Sequence, residues 1–291
     1  MLNFMMRKGS MNPFGLAVVV ASLVLCLALG SPIQAASPGQ SPWSSQINSK
    51  VRLVSGTIEE QGEAARYAGV QLRMEDGWKT YWRNPGDSGV PPTFDWSGSK
   101  NLKSVDVFYP VPHRFSDANG TAIGYDDEVV FPVRVTPKQA DKPIQLSLTF
   151  DYGLCKDLCI PNSVDLTAVI PAELGRGDAR LIEQASALVP HPESATSLPR
   201  LGALTANFEG AEPTLKVEAL FEPGATNTDL FVTSADVLVP VPKALGPLKD
   251  GRQRFSVVFP TKDEANAIKG KPLTFTLVSD QGAIETTRSQ R

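Results

Sequence analysis

Two cysteines four positions apart, Cys155 and Cys159, have the residue type and spacing best suited to chemistry in this chain. They lie in the run Phe150-Asp151-Tyr152-Gly153-Leu154-Cys155-Lys156-Asp157-Leu158-Cys159-Ile160-Pro161. The one other cysteine, Cys26, falls in an apolar N-terminal segment. In an oxidising compartment the pair has no other partner, and the two sulfurs are expected to be joined. Closing so small a ring stabilises by about 2 kcal/mol on the loop-closure model, against roughly 4 to 5 for a hundred-residue loop. The spacing leaves two uses open: a pin on a turn, or a bond that opens in thiol–disulfide exchange. Residues four apart on a strand are separated by about 13 Å, well beyond the roughly 4.4 to 6.8 Å that a disulfide spans between Cα atoms. The chain must therefore fold back at Lys156-Asp157-Leu158, and a turn between neighbouring strands fits the flanking pattern. Such a bond sits at a sheet edge, where another thiolate can reach a sulfur. Lys156 lies inside the ring and would favour a thiolate, although a solvated turn residue is the plainer reading.

The compartment follows from the N-terminus. Residues 1–36 read as a secretory signal peptide: Arg7 and Lys8, then an apolar stretch from Phe14 to Gly30, then Ile33-Gln34-Ala35 before the cut. The alternative is an uncleaved anchor, because about seventeen apolar residues is the lower limit for a membrane span. Pro32 and the small residues after it favour cleavage, which would remove Cys26 and leave a soluble protein. The bacterial periplasm suits this form of signal. A net charge of −3 without a basic run argues against nucleic acid. Two histidines, His113 and His191, without companions, argue against a zinc or haem site, and no cofactor is expected.

The elements that must hold the pair are strands. Val70, Leu72 and Met74 alternate with polar neighbours, as do Val105, Val107 and Tyr109, and 128–135 is a further candidate. Ile144, Leu146, Leu148, Phe150 and Tyr152 carry the cleanest period of two, and Val164 to Val169 resumes it after the cysteines. Asn119-Gly120 is a turn signal. These segments predict an antiparallel β-sandwich over 49–172, behind a Ser-, Pro- and Gln-rich flexible leader at 37–48. Leu181, Ile182, Ala185 and Leu188 have helical spacing, and Pro190 and Pro192 follow, so 173–199 reads as a short helix plus linker. Alternation then returns at Leu215–Ala219, Phe231–Val232, Phe255–Phe259 and Leu273–Leu277, predicting a second, smaller β domain over 200–291. The class is all-β, with two antiparallel sandwiches.

Three of the four tryptophans fall within 78–96, in a cluster of Trp78, Tyr81, Trp82, Phe94 and Trp96 threaded by Asn84-Pro85-Gly86-Asp87-Ser88-Gly89-Val90-Pro91-Pro92. This is either a core strand pair joined by a long loop, or a lid or docking surface. The 109–127 segment, with His113, Phe115 and Tyr125, is a similar candidate. His113 would serve as a proton donor near a thiol, or simply be exposed. No nucleophile elbow, phosphate-binding glycine loop or H-E-x-x-H is present. The acidic runs Glu59-Glu60 and Asp126-Asp127-Glu128 lack the buried setting of a tuned acid/base pair.

Gly77-Trp78-Lys79-Thr80-Tyr81-Trp82-Arg83-Asn84-Pro85-Gly86-Asp87-Ser88-Gly89, Tyr109-Pro110, Gly124-Tyr125, Phe131-Pro132 and the cysteine run together resemble the N-terminal periplasmic region of the DsbD/ScsB thiol:disulfide interchange family. The likeness is closer to the ScsB-like branch, which has an extra β domain, and covers about 45–172 well. It implies immunoglobulin-like domains and a protein-disulfide reductase role, with Cys155 and Cys159 as the redox pair. Reducing equivalents would come from a separate membrane-embedded electron carrier and pass to periplasmic thiol/disulfide proteins. The resemblance favours Cys159 as the exchanging cysteine. It also implies an aromatic cap over the pair, for which Phe115, Tyr125 and Trp82 are cap or docking candidates. The DsbD pair is spaced more widely than this C-x-x-x-C, and the chain shows neither a membrane carrier nor a thioredoxin-like domain. The contrasting reading is a non-catalytic periplasmic adaptor whose disulfide is purely structural. A chaperone-like or metal-handling module built on the aromatic loop is a third.

Overall fold

In the computed structural model, which describes residues 39–60, 62–117, 120–173 and 175–289, the period-two segments form strands and the chain is all-β. The signal segment, Cys26 and Asn119 lie outside the described residues. The first sandwich contains β1 (Ser44–Gln46), β2 (Ser49–Glu60), β3 (Glu63–Met74), β4 (Lys79–Gly86), β5 (Thr93–Asp95), β6 (Leu102–Val107), β7 (His113–Asp117), β8 (Gly120–Asp126), β9 (Glu128–Pro137), β10 (Ile144–Cys155) and β11 (Cys159–Ile170). Helix α1 (Ala179–Ser186) follows. The second sandwich contains β12 (His191–Pro192), β13 (Arg200–Asn207), β14 (Thr214–Leu220), β15 (Asp229–Thr233), β16 (Lys243–Ala244), β17 (Arg252–Val258), helix α2 (Lys262–Ala267), β18 (Pro272–Ser279) and β19 (Gly282–Ser289).

In the first sandwich a sheet of order β1-β2-β3-β9-β6 faces one of order β11-β10-β4-β8-β7, with β5 added to β10. Between them lie the inward residues of each strand, including Phe131, Phe150, Tyr152 and Leu154. Phe94 stacks on Phe150 at 4.9 Å and meets Phe131 edge-on at 5.4 Å, the offset geometries aromatic rings prefer. The second sandwich pairs β12-β19-β18-β15 with β13-β14-β17-β16 around Phe255, Phe275 and their neighbours. All strand pairs are antiparallel except β12 with β19. These are two immunoglobulin-like sandwiches joined by a short helix and a Pro-rich connection.

Three local readings are corrected by packing. The 37–48 leader is not simply flexible: β1 pairs with β2, and the Ser41 hydroxyl accepts the Leu53 N–H at 2.9 Å. Backbone pairing needs no apolar pattern, so a Ser-, Pro- and Gln-rich composition hid it. Helix α1 buries Ala179, Ile182 and Ala185 and ends before Leu188, which is exposed. The Trp-rich segment is not a strand pair, since β4 and β5 both pair with β10, leaving 87–92 as an arch between them.

Strand β4 also carries the joint between the sandwiches. Its register on β8 jumps from Tyr81↔Gly124 to Gly86↔Ala122, so 82–85 bulge out. Trp82 packs edge-on against Phe231 of the second sandwich, with ring centroids 5.6 Å apart. Arg83 pairs with Glu285. The buried Asn84 amide donates to the Val232 and Val239 carbonyls at 2.9 and 3.0 Å. Arg114 of β7 forks onto both oxygens of Asp229 at 2.9 and 2.7 Å, a charge-assisted pair of fixed geometry.

Candidate functional site: a cross-strand cysteine pair under an arching loop

Strands β10 and β11 pair without a register break from Ile144↔Ile170 to Cys155↔Cys159. The cysteines are thus the last cross-strand pair of a long hairpin, closed by Lys156-Asp157-Leu158, and their Cα atoms are 4.2 Å apart. They are joined in a disulfide. Inward-facing Tyr152 and Leu154 are buried, whereas the alternate set points outward. Cys155, on that outer set, is half-buried against β4. Cys159, on the edge strand, is exposed, and Leu158 beside it is 69% exposed. Cys159 is therefore the more exposed of the two, and Cys155 the more sheltered.

The sheltering comes from β4. Lys79 lies opposite Cys155 and Thr80 opposite Leu154, and the Thr80 hydroxyl donates to the Gly153 carbonyl at 2.8 Å. Two residues beyond Lys79, on the same face, Tyr81 places its hydroxyl 3.1 Å from Cys159 Sγ. A disulfide sulfur carries no hydrogen, so the phenol is the donor. Tyr81 is only 4% exposed, although it faces away from the sandwich core. The arch at 87–92 covers it. A Cβ at Gly89 would lie 2.4 Å from the ring, and one at Gly153 2.9 Å, so both positions need glycine for the ring to fit. Gly89 also has φ of +135°, which side-chain-bearing residues avoid. The arch is anchored at its base, where Asp87 accepts the Thr121 N–H and donates its own N–H to the Thr121 carbonyl, both at 2.8 Å.

Of the three cap candidates, Phe115 is linked to the pair through Lys79. Its ring lies under the Lys79 ammonium at 4.5 Å, and Lys79 is the cross-strand neighbour of Cys155. His113, exposed, is 6.4 Å from Phe115 ring to ring. Tyr125 instead belongs to the core: it is buried, its hydroxyl donates to the Pro110 carbonyl at 2.8 Å, and burial keeps that hydroxyl protonated well above the usual phenol range. Trp82 is likewise buried, in the joint with the second sandwich. Both have inward or bulged positions on their strands, which spacing alone did not distinguish from the outer set. The Lys156 ammonium donates to the Asp76 carbonyl at 3.0 Å, tying the cysteine loop to the turn before β4.

Sequence reasoning placed Tyr81 in an aromatic cluster but missed its contact with sulfur. One signal was available: Gly153 interrupts the best strand of the chain, and a glycine inside a strand often marks a close approach by another group. Among the described residues no group of three or more His, Cys, Asp or Glu side chains is placed to hold a metal ion. No helix of the described residues is long and apolar enough to cross a membrane.

An exposed cysteine, a more sheltered partner four residues away and a phenolic donor at the sulfur of the exposed one form a geometry suited to thiol–disulfide exchange. Residues 57–171 match the family model described as "Thiol:disulfide interchange protein DsbD, N-terminal". No curated protein matches the chain. Among solved structures, the N-terminal periplasmic domain of ScsB from Proteus mirabilis shares the fold, with a TM-score of 0.67 at 21% identity. The match covers 88% of this chain and 100% of that one, so it takes in both sandwiches. Residues 57–171 of this chain therefore resemble the N-terminal domain of the thiol:disulfide interchange protein DsbD.

Proposed function

We propose that the chain is a periplasmic thiol:disulfide interchange protein that relays reducing equivalents through Cys155 and Cys159. The observation that carries this reading is the asymmetry of the pair: Cys159 is exposed and within 3.1 Å of a buried phenol, and Cys155 is sheltered behind β4. The match to the DsbD N-terminal model over 57–171 supports it, as does the form of the N-terminal segment. The reduced protein presents Cys159 as a thiolate to an acceptor disulfide. The new sulfur–sulfur bond forms as the acceptor's own bond breaks, releasing one acceptor thiolate. Cys155 then attacks Cys159 Sγ, restoring the internal disulfide and releasing the second acceptor thiol, so two electrons have passed. A separate dithiol donor, in this reading a membrane-embedded carrier, reverses the sequence to reload the pair.

The reduction potential tests this directly. A value near about −200 mV or higher marks an exchanging bond, whereas one below roughly −300 mV marks a structural pin and returns the protein to the adaptor class. Trapping gives a second measure. A Cys155→Ser variant exported in cells is expected to accumulate mixed disulfides through Cys159, and none would accumulate if the bond only pins the hairpin.

A further inference from the structure

Strand β11 begins at Cys159 and runs for 12 residues, and among the described residues β10 is its only strand partner. Among the described residues one side of its backbone therefore has no ladder. At about 3.3 Å per residue, this free edge is roughly 40 Å long. Proteins usually blunt such an edge with lysines, prolines, bulges or a covering segment, because bare N–H and C=O groups recruit another strand. Here the register on β10 is unbroken, and 159–170 contain no Lys or Arg and a single proline, Pro161. The one acid, Asp165, is engaged by the Thr149 hydroxyl. Outward residues alternate cleanly with buried Val164, Leu166, Ala168 and Ile170. At the far end, Thr167 and the exposed Val169 border an open groove of about 640 Å³, flanked by Pro42, Gly98, Ser147 and Pro171. At the near end sit Cys159 and the exposed Leu158.

We infer that β11 is a docking rail: an extended, cysteine-bearing segment of a partner polypeptide adds as a further strand on its free edge, which delivers that cysteine to Cys159. An added strand lies about 4.8 Å from β11, within reach of a sulfur at the strand's end. Backbone pairing supplies affinity independent of side chains, so one rail serves acceptors of different sequence. Leu158 and the Val169 groove then receive apolar side chains at the two ends. The inference rests on the exchange reading above and extends it to how the partner is held.

The test uses Cys155→Ser protein, reduced at Cys159, and two peptides whose cysteine is activated as a mixed disulfide with thionitrobenzoate. One peptide has a normal backbone, and the other is N-methylated at alternate residues so that it cannot pair as a strand. Attack by Cys159 forms the protein–peptide disulfide and releases the coloured thiolate. The normal peptide is expected to react about tenfold faster than the methylated one, because pairing raises its local concentration. Amides of 160–170 should gain protection from hydrogen exchange of at least about tenfold in its conjugate. Equal rates with no added protection would overturn the rail and leave exchange intact. No conjugate with either peptide would remove the exchange reading, and the rail with it. As a measurement free of the variant, the oxidised wild-type protein titrated with a serine version of the normal peptide should shift the same amides, and their silence would count against the rail. Concentration-dependent protection of β11 in the free protein would assign the edge to a second copy of the chain and also overturn it.

Discussion

Replacing Tyr81 by Phe removes one oxygen and keeps the ring, so the packing against Gly89 and Gly153 stays in place. What is lost is the donor 3.1 Å from Cys159 Sγ. A hydrogen bond to a charged acceptor contributes about 1.5 to 3 kcal/mol, so the Cys159 thiolate in the reduced protein would be disfavoured by roughly 10- to 150-fold. The rate of exchange falls by less than that. A more basic thiolate is a better nucleophile, and a Brønsted coefficient of about 0.4 to 0.5 returns nearly half of the effect on a logarithmic scale. The net slowing is about 4- to 20-fold, and the exposure of Cys159 points to the lower half of that range. The assay is stopped-flow reaction of the reduced protein with a small aromatic disulfide across a range of pH. The deficit of Tyr81→Phe should be widest near neutrality and reverse where both thiols are fully ionised, because its more basic thiolate is then the better nucleophile. A rate within about twofold of wild type at neutral pH would refute a role for the phenol at the sulfur. A slowing that does not change with pH would mean that the hydroxyl acts on the shape of the hairpin and not on the thiolate.

Gly153→Ala puts a methyl group 2.9 Å from the Tyr81 ring. It should reproduce the kinetic defect of Tyr81→Phe and lower stability by about 1 to 3 kcal/mol, read by urea unfolding. Asn84→Ala removes both donors to the Val232 and Val239 carbonyls at the joint. With buried acceptors left unpaired it should cost about 2 to 5 kcal/mol, visible as a lower unfolding midpoint, whereas an exposed neighbour such as Ser88→Ala should change little. Glu193 ties the Pro-rich connection to the second sandwich. Burial raises its carboxyl, but hydrogen bonds from Arg288 and the Leu201 N–H outweigh this and hold it below the usual carboxylate range. A depressed folded-state value means that this stabilisation is present above the unfolded-state value and is lost as pH falls through the folded one. Glu193→Gln should therefore destabilise at neutral pH and narrow its deficit as pH falls below the usual carboxylate range, compared by urea unfolding in the two regimes.

Several elements could be read directly from the chain because their signal is local. Ile144 to Tyr152 alternates so regularly that β10 was identifiable, and the cysteine spacing forces the reversal that becomes the β10–β11 hairpin. The helix at 179–186 and the four apolar runs of the second sandwich were identifiable for the same reason. Strand β1 was not, because its pairing with β2 depends on backbone groups that composition does not report. The bulge at 82–85 was hidden too: Trp82, Arg83 and Asn84 leave the β8 register to meet a sandwich that begins more than a hundred residues later. Tyr125 and Trp82 share the aromatic character of a cap, and only their packing shows that they serve the core and the joint.

By itself, then, the sequence determined the sandwich class, the two-part organisation and the identity of the only cysteine pair outside the N-terminal segment. These follow from side-chain periodicity and from covalent reach, which act over a few residues. The tertiary structure decided which cysteine is the more exposed, what stands beside it and what shelters the other. Those outcomes depend on β4 crossing to β10, on the 87–92 arch closing over Tyr81, and on β11 lying at the edge of its sheet beside β10. Each is a contact between segments distant in sequence, set by how two sheets bury their inner faces, and no local pattern encodes it.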